Sequence, residues 1–536
     1  MKAQKHNPGN RTHFDDDDLT WTKKGSEVCR RTMVHTSLMI IALLAGVLFL
    51  ENVASESTPE TQNVFVVLMD DLGYADNQGA DPEMRTPNMQ LLRQEGVTFN
   101  QSYVLQVCAP TRSAILTARY PYTYGMQINQ IKGANLAWLN TSLKLFPEYM
   151  KENGYATYKV GKWHLGHCNE TLTPLWRGFD YDFGFYTNSL GFFNHSGQGP
   201  FSYDFRNQTE VYYDQGTYAA DLFAQYVRNA IVNRNKSKPM FMYYAMQSVH
   251  CPCEAKQDVV DRVCPHIKNL ERRTRCGMVY SADQALGDLR DVLISEGIYN
   301  NTIVVLLADN GGPLDGGGSN WPLRGQKSSF WEGGMRSFTV LRSGKLRYTN
   351  TTYKGMIHAV DWLPTLMRAA GLIPPTTGLD GQDLWNQILT NNATGRTEFV
   401  YNMDDSTNRY CIRKFEYKYC EGVPGRKYNG WYPPASMIPS LKNQIYSGNL
   451  TWGDINFGKD IQMSNISKIL LFNIEEDPQE IYNLQDIYPL KVEEMKKLLR
   501  KYKKSLFPFV EAEKATNAFV KYNETFGYEG PGWCNP

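Results

Sequence analysis

Four stretches of the chain are apolar at nearly every position. Residues 63–70 read NVFVVLMD and residues 302–309 read TIVVLLAD; residues 240–249 form a third run and residues 157–160 a shorter fourth. Runs of this kind, rich in β-branched residues, predict strands buried on both faces, as parallel sheets require. Between them the apolar positions take up helical spacing. They are Leu145, Phe146, Tyr149 and Met150 within 142–153, and Leu222, Phe223, Tyr226, Val227, Ala230 and Ile231 within 218–232. Within 278–295 they are Leu286, Leu289, Val292 and Leu293. Each set falls on one helical face. Buried strands alternating with amphipathic helices predict an α/β sandwich around a large, mostly parallel central sheet. Past about residue 395 the pattern shortens to candidate strands at 398–402, 410–419 and 468–474, broken by Gly, Pro and Asn, then a helix near 490–503. This predicts a main domain over 56–395 and a smaller C-terminal α+β domain with an antiparallel sheet over 396–536.

The first 55 residues stand apart. Residues 1–32 are a polar tail, with an acidic run at 15–18 and then Lys23, Lys24, Arg30 and Arg31. The apolar stretch 37–50 is shorter than the roughly 20 residues that span a bilayer and suits the core of a signal peptide. Val53, Ala54 and Ser55 offer small residues for cleavage. Residues 33–55 therefore read as a signal peptide or, left uncleaved, a signal anchor. Either places the rest in the secretory lumen, as a lysosomal or secreted protein that meets a membrane only if 37–50 is retained. Asn-x-Ser/Thr sequons agree with that route, among them Asn140, Asn169, Asn194, Asn207, Asn235, Asn300, Asn350, Asn392, Asn449, Asn465 and Asn523.

Of 536 residues 42% are hydrophobic and 21% charged, which suits a folded chain, and the net charge of +1 gives no field for nucleic acid. Aromatic residues at 13% fit a carbohydrate-facing surface. Of ten cysteines, Cys29 precedes the apolar segment and Cys108 is considered below. The other eight are Cys168, Cys251, Cys253, Cys264, Cys276, Cys411, Cys420 and Cys534. An even number in an oxidising compartment predicts disulfides of open pairing, rather than zinc held by the 251–276 group with His250 and His266.

Residues 107–120 read VCAPTRSAILTARY. Pro110 suits a helix's first turn, so Cys108 is expected just before a helix N-terminus, where free N–H groups and the helix dipole favour an anion. Arg112, one turn on, adds a fixed positive charge. Asp70, Asp71, Asp309 and Asn310 end two of the buried runs and offer hard oxygen ligands, suited to Ca²⁺ or Mg²⁺. Lys162 and His164 lie in GKWHLG, His250 follows the third run, and Lys327 lies in NWPLRGQKSSFWEGG at 320–334. Taken singly, each of these is as well explained by turns, caps and solvated charge.

Taken together they are not. The blocks LMDDLGY, CAPTRSAILTAR, VGKWHLG, RGFDYDFGF, LLADNGG, NWPLRGQKSSFWEGG and LFNIEEDPQEIYNL, spread over 62–484, resemble the formylglycine-dependent sulfatases, the arylsulfatase B group above all. That family more often has Gly at position 118; Ala118 is a mild departure. The resemblance implies an alkaline-phosphatase-like fold and a Cys108 oxidised to formylglycine by a formylglycine-generating enzyme during secretion. It implies one Ca²⁺ per chain held by Asp70, Asp71, Asp309 and Asn310, with residue 108 as a further ligand. Arg112, Lys162, His164, His250 and Lys327 would complete the catalytic pocket. The implied substrate is an aryl sulfate or a sulfated sugar such as N-acetylgalactosamine 4-sulfate in a glycosaminoglycan. Residues 186–215 and 404–450 are the candidate rim loops. Two other functions compete. A phosphate-ester hydrolase of the same superfamily would show Ser or Thr at position 108 and a second metal set. A non-enzymatic binder of sulfated glycans would show lesions in the pocket. The sequence shows neither.

Overall fold

The four apolar runs become β1 (Asn63–Met69), β8 (Thr302–Ala308), β7 (Met240–Met246) and β3 (Ala156–Lys162). They lie side by side in the computed structural model, which describes residues 61–128, 131, 133, 135–197, 203–434, 437–438, 461–514, 534 and 536. The polar tail, the apolar 37–50 segment, Asn449, Asn523 and parts of both rim loops lie outside the described residues. Six further strands complete a ten-stranded sheet: β2 (Val97–Tyr103), β4 (Tyr181–Phe185), β5 (Arg206–Asn207), β6 (Glu210–Val211), β9 (Thr339–Arg342) and β10 (Thr351–His358). The order is β10-β2-β9-β8-β1-β7-β3-β4-β5-β6. The core from β8 through β1, β7 and β3 to β4 is parallel, while β9 runs antiparallel between β8 and β2.

Alternate residues of each central strand enter different cores. Val64, Val66 and Leu68 join one cluster with helices Cys108–Thr117, Phe146–Glu152 and Trp362–Ala369. Phe65, Val67 and Met69 join the other, under helices Pro87–Glu95, Ala219–Val232 and Leu270–Ser295. Burial on both faces is why these strands read as unbroken apolar runs. Two helices start later than their expected spans, at Phe146, where Pro147 sits in the first turn, and at Ala219. The third starts earlier, at Leu270, because Asn269 caps it through Arg272 N–H at 2.8 Å. Its first turns are too charged to show in a hydrophobic pattern.

The C-terminal strands β11 (Glu398–Asp404), β12 (Arg409–Lys414), β13 (Tyr417–Glu421) and β14 (Ile469–Asn473) form a separate antiparallel sheet. Phe399, Tyr401, Ile412 and Leu471, with Met495 and Leu499 of helix Pro489–Lys503, join the same cluster as the 108–117 helix. Disulfides link Cys168–Cys534, Cys251–Cys253, Cys264–Cys276 and Cys411–Cys420. The four thiols of the 251–276 group are thus spent on disulfides, and Cys108 stays free and buried. Among the described residues no helix is long and apolar enough to cross a membrane.

Candidate active site

Because β1, β3, β7 and β8 are parallel, their carboxyl ends open on one edge, where ligands of such sheets bind. Asp70 and Asp71 follow β1, and Asp309 and Asn310 follow β8. Lys162 ends β3, with His164 just beyond, and His250 lies four residues past β7. Asp71 and His164 adopt φ of 64° and 59°, left-handed values that turn each side chain off its strand's course. Gly311 follows Asn310 because no side chain fits: a Cβ there would lie 1.9 Å from Gly333 O.

Cys108 is the first residue of its helix rather than the one before it, with Val107 as N-cap. It is 1% exposed, and its Sγ donates to Asp70 Oδ1 at 3.2 Å. Arg112 donates from Nε and Nη2 to Asp309 Oδ2 at 3.1 and 2.8 Å, and from Nη1 to Lys162 O at 3.1 Å. Lys162 Nζ donates to Asp70 Oδ2, and Lys327 Nζ pairs with Asp71 Oδ1. His250 Nε2 stands 3.7 Å from Asp71 Oδ2. His164 Nε2 meets Ile131 O at 2.9 Å. Asn310 Nδ2 donates to Asp71 Oδ1 at 2.7 Å. The expected residues therefore converge, although they come from positions 70 to 327.

The electrostatics follow from burial against neighbouring charge. Burial alone would raise the Asp70 carboxyl, but Lys162, His250 and Arg112 hold it well below the usual range. Asp71 is lowered against its burial by Lys327 and His250. Asp309 is raised to about 6 by burial and the charge of Asp70, even beside Arg112. Burial and the carboxylates of Asp309 and Asp70 push the Cys108 thiol well above its ordinary value, so it is no ready thiolate. Burial and Lys327 lower His250 to about 4, and burial with Lys162 holds His164 well below its usual value.

The donor set fits a hard cation. Ligand atoms of Asp70, Asp71, Cys108 and His250 lie within 4.8 Å of one another. The buried Oδ1 of Asn310 has no hydrogen-bond partner. A buried, unpaired oxygen beside two carboxylates is costly unless a cation takes it. Asp309 offers less as it stands, since Oδ2 receives Arg112 and Oδ1 receives Asp71 N–H at 3.1 Å. The site opens into a cleft of about 570 Å³, lined by Asp71, Asn194, His250, Glu254, Asp315 and Lys327.

Sequence reasoning missed the residues that hold these backbones. Arg275 donates to Val249 O at 2.7 Å, to Asp71 O, and to Asp76 Oδ2, so one guanidinium ties the ends of β1 and β7 together. Asp76 also accepts from Gly73 N–H and Ser319 N–H at 2.9 and 3.0 Å. The signal was present in the charged 270–276 stretch, where Arg272 and Arg275 are buried instead of solvated.

The fold is of the alkaline-phosphatase-like architecture, with a buried cluster of carboxylates and cations at the sheet's carboxyl edge. The family model described as Sulfatase matches residues 62–372, and the chain belongs to the sulfatase family. It is a sulfuric ester hydrolase. Arylsulfatase J of Mus musculus is 32% identical over 470 residues, covering 83% of this chain and 76% of that protein. N-acetylgalactosamine-6-sulfatase of Rattus norvegicus is 29% identical over 405 residues, covering 69% and 74%. Among solved structures, that of Ps i-CgsB in complex with k-i-k-neocarrahexaose superposes with a TM-score of 0.70 at 24% identity, covering 87% of this chain and 97% of that one. The PsFucS1 sulfatase from Pseudoalteromonas sp. does so at 0.64 and 20%, covering 87% and 95%.

Proposed function

We propose that the protein hydrolyses sulfate monoesters of glycosaminoglycan sugars, N-acetylgalactosamine sulfate foremost, with formylglycine at position 108 and one bound Ca²⁺. The observation that carries this is Cys108 itself: a buried thiol at a helix N-terminus, 3.2 Å from Asp70, inside a carboxylate and cation cluster. The motif resemblance favours the 4-sulfate, and relatives named N-acetylgalactosamine-6-sulfatase keep the 6-sulfate in view. Since Cys108 is buried, an enzyme that oxidises it has to act before the chain closes over it. That agrees with modification during secretion.

Sulfate monoesters resist attack because anionic oxygens shield the sulfur. Arg112, Lys162 and Lys327 supply fixed positive charge where those oxygens would sit. Ca²⁺ on Asp70, Asp71, Asn310 and Asp309 would add Lewis-acid charge there and free Lys162 and Lys327 from their carboxylates. As a hydrated formylglycine, residue 108 would supply two geminal hydroxyls, one to attack sulfur and one whose deprotonation expels sulfate. Asp309, hydrogen-bonded to Arg112, would take the first proton. Lys327 and His250, which line the cleft beside Asp71, would assist the departing alcohol. His164, neutral through burial, has an unpartnered Nδ1 available for the second proton.

Mass analysis of the peptide containing residue 108 is expected to show the aldehyde in protein from a secretory host. Cys108→Ala is expected to abolish sulfate release with or without added Ca²⁺, while Cys108→Ser traps sulfate on the protein. Undiminished multiple turnover by Cys108→Ala would overturn the proposal.

A further inference from the structure

A second cavity of about 280 Å³ adjoins the cleft. Gln106, Lys327, Asp404, Arg409, Arg426 and Lys427 line it. Lys327 lines both, so the two spaces meet at a residue of the reaction centre. Four of these six side chains are cationic and one is a carboxylate. That carboxylate is already engaged: Asp404 accepts from Arg409 Nη2 at 2.7 Å and from the hydroxyls of Ser406 and Thr407. Arg426 is exposed and has no carboxylate partner among the described residues. Lys427 stands 3.9 Å from Asp315 and its Nζ lies 4.4 Å from the Tyr428 ring centroid.

These two cations are not on a loose loop. Phe330 N–H donates to Pro424 O and Gly325 N–H to Gly430 O, both at 2.9 Å, bracketing residues 425–429 on either side of Lys327's own turn. Trp331 Nε1 and Arg324 Nε donate to Asn429 Oδ1 and O at 2.9 and 2.7 Å. Gly425 permits the approach, since a Cβ there would lie 2.4 Å from Asn429 Oδ1. Away from Lys327 and His250, the wall of the larger cleft carries the carboxylates Glu254 and Asp315. An anionic neighbour of the reacting sugar is repelled there and attracted toward Arg426.

We propose that the smaller cavity is a subsite in which Arg426 and Lys427 bind an anionic group, a carboxylate or a second sulfate, on the sugar next to the one that loses its sulfate. The inference rests on the sugar-sulfate reading above. The test measures KM and kcat for sulfate release from four substrates. They are a sulfated monosaccharide, a sulfated disaccharide with a uronic acid neighbour, that disaccharide with its carboxylate reduced to an alcohol, and one whose neutral neighbour carries a second sulfate. In the double variant Arg426→Ala/Lys427→Ala, KM for a charged disaccharide is expected to rise about five- to tenfold relative to the monosaccharide and the reduced disaccharide, with little change in kcat. Arg426→Lys should recover most of that loss and Arg426→Glu deepen it. Whichever charged disaccharide responds identifies the group bound. An equal rise for the reduced disaccharide, or none for either charged one, overturns the subsite and leaves the sugar reading standing. Sulfate release by the unsubstituted protein from an aryl sulfate but from none of the sugars overturns the sugar reading, and the subsite with it.

Discussion

Ala118 ends the 108–117 helix at φ 54° and ψ 29°, its N–H donating to Ala114 O at 2.9 Å. That left-handed cap costs an alanine energy that glycine avoids, which explains why Gly is the commoner residue at this position in the family the motifs resemble. The departure is tolerated because the cap bond itself needs no side chain. Ala118→Gly is expected to raise stability by about 0.5–1 kcal/mol in chemical denaturation, the relief of the cap exceeding the lost methyl burial and the added chain entropy. Unchanged or lower stability would mean that the methyl's packing outweighs the backbone strain. Arg112 shows the other kind of residue-scale constraint. Two of its nitrogens share one Asp309 oxygen and a third holds Lys162 O, a fork that lysine cannot reproduce.

Between elements, a buried charge cluster joins the turn after Trp331 to the C-terminal strands. Glu332 accepts from Tyr103 of β2 at 3.0 Å, from Tyr401 of β11, and from Lys418 of β13 at 3.1 Å. Glu480 shares the same Lys418 at 2.7 Å and accepts Glu332 N–H at 2.7 Å. One ammonium thus serves two buried carboxylates. Burial, only partly opposed by Lys418 and reinforced by Glu332, raises Glu480 from 4.5 to about 7. A fold that binds this proton more tightly than the unfolded chain is favoured at low pH. The contribution is fully present below about pH 4.5 and is lost as pH rises through about 7. This group should therefore lower the melting temperature between about pH 4.5 and pH 7, and Glu480→Gln, which mimics the protonated form, should flatten that fall. Parallel pH profiles for both proteins would show that the slope arises elsewhere.

At the scale of the whole molecule, the antiparallel sheet and one face of the ten-stranded sheet share a single hydrophobic cluster. Phe399 packs against Tyr103 with ring centroids 4.6 Å apart, and Arg324 lies 3.6 Å over the ring of Trp331 and 4.7 Å over that of Trp431. A core shared between the two sheets predicts that neither is stable without the other. Calorimetry is expected to show one unfolding transition, in which near-UV signals from both sheets are lost together. Two resolved transitions would show that the C-terminal part melts on its own.

Much of this architecture is legible in the order of residues alone. The unbroken runs at 63–70 and 302–309 mark central strands because a strand buried on both faces has no polar position to alternate with. The carboxylates ending them stand out as candidate ligands, and VCAPTRSAILTAR is readable as a helix N-terminus. Less regular strands escape such a reading: β2 and β10 carry Gln101, Ser102, Thr351 and Lys354 among their apolar residues, so neither period stands out. What the chain's own order could not decide is which residues meet. Asp70, Cys108, Lys162, His250 and Lys327 come together because the sheet is ordered β8-β1-β7-β3, and sheet order is a property of packing between distant segments. The same holds for Arg275 behind the strand ends and for Arg426 beside Lys327. A charged residue's local sequence does not tell whether it will face water or a buried carbonyl, because its neighbours in space are chosen by the fold.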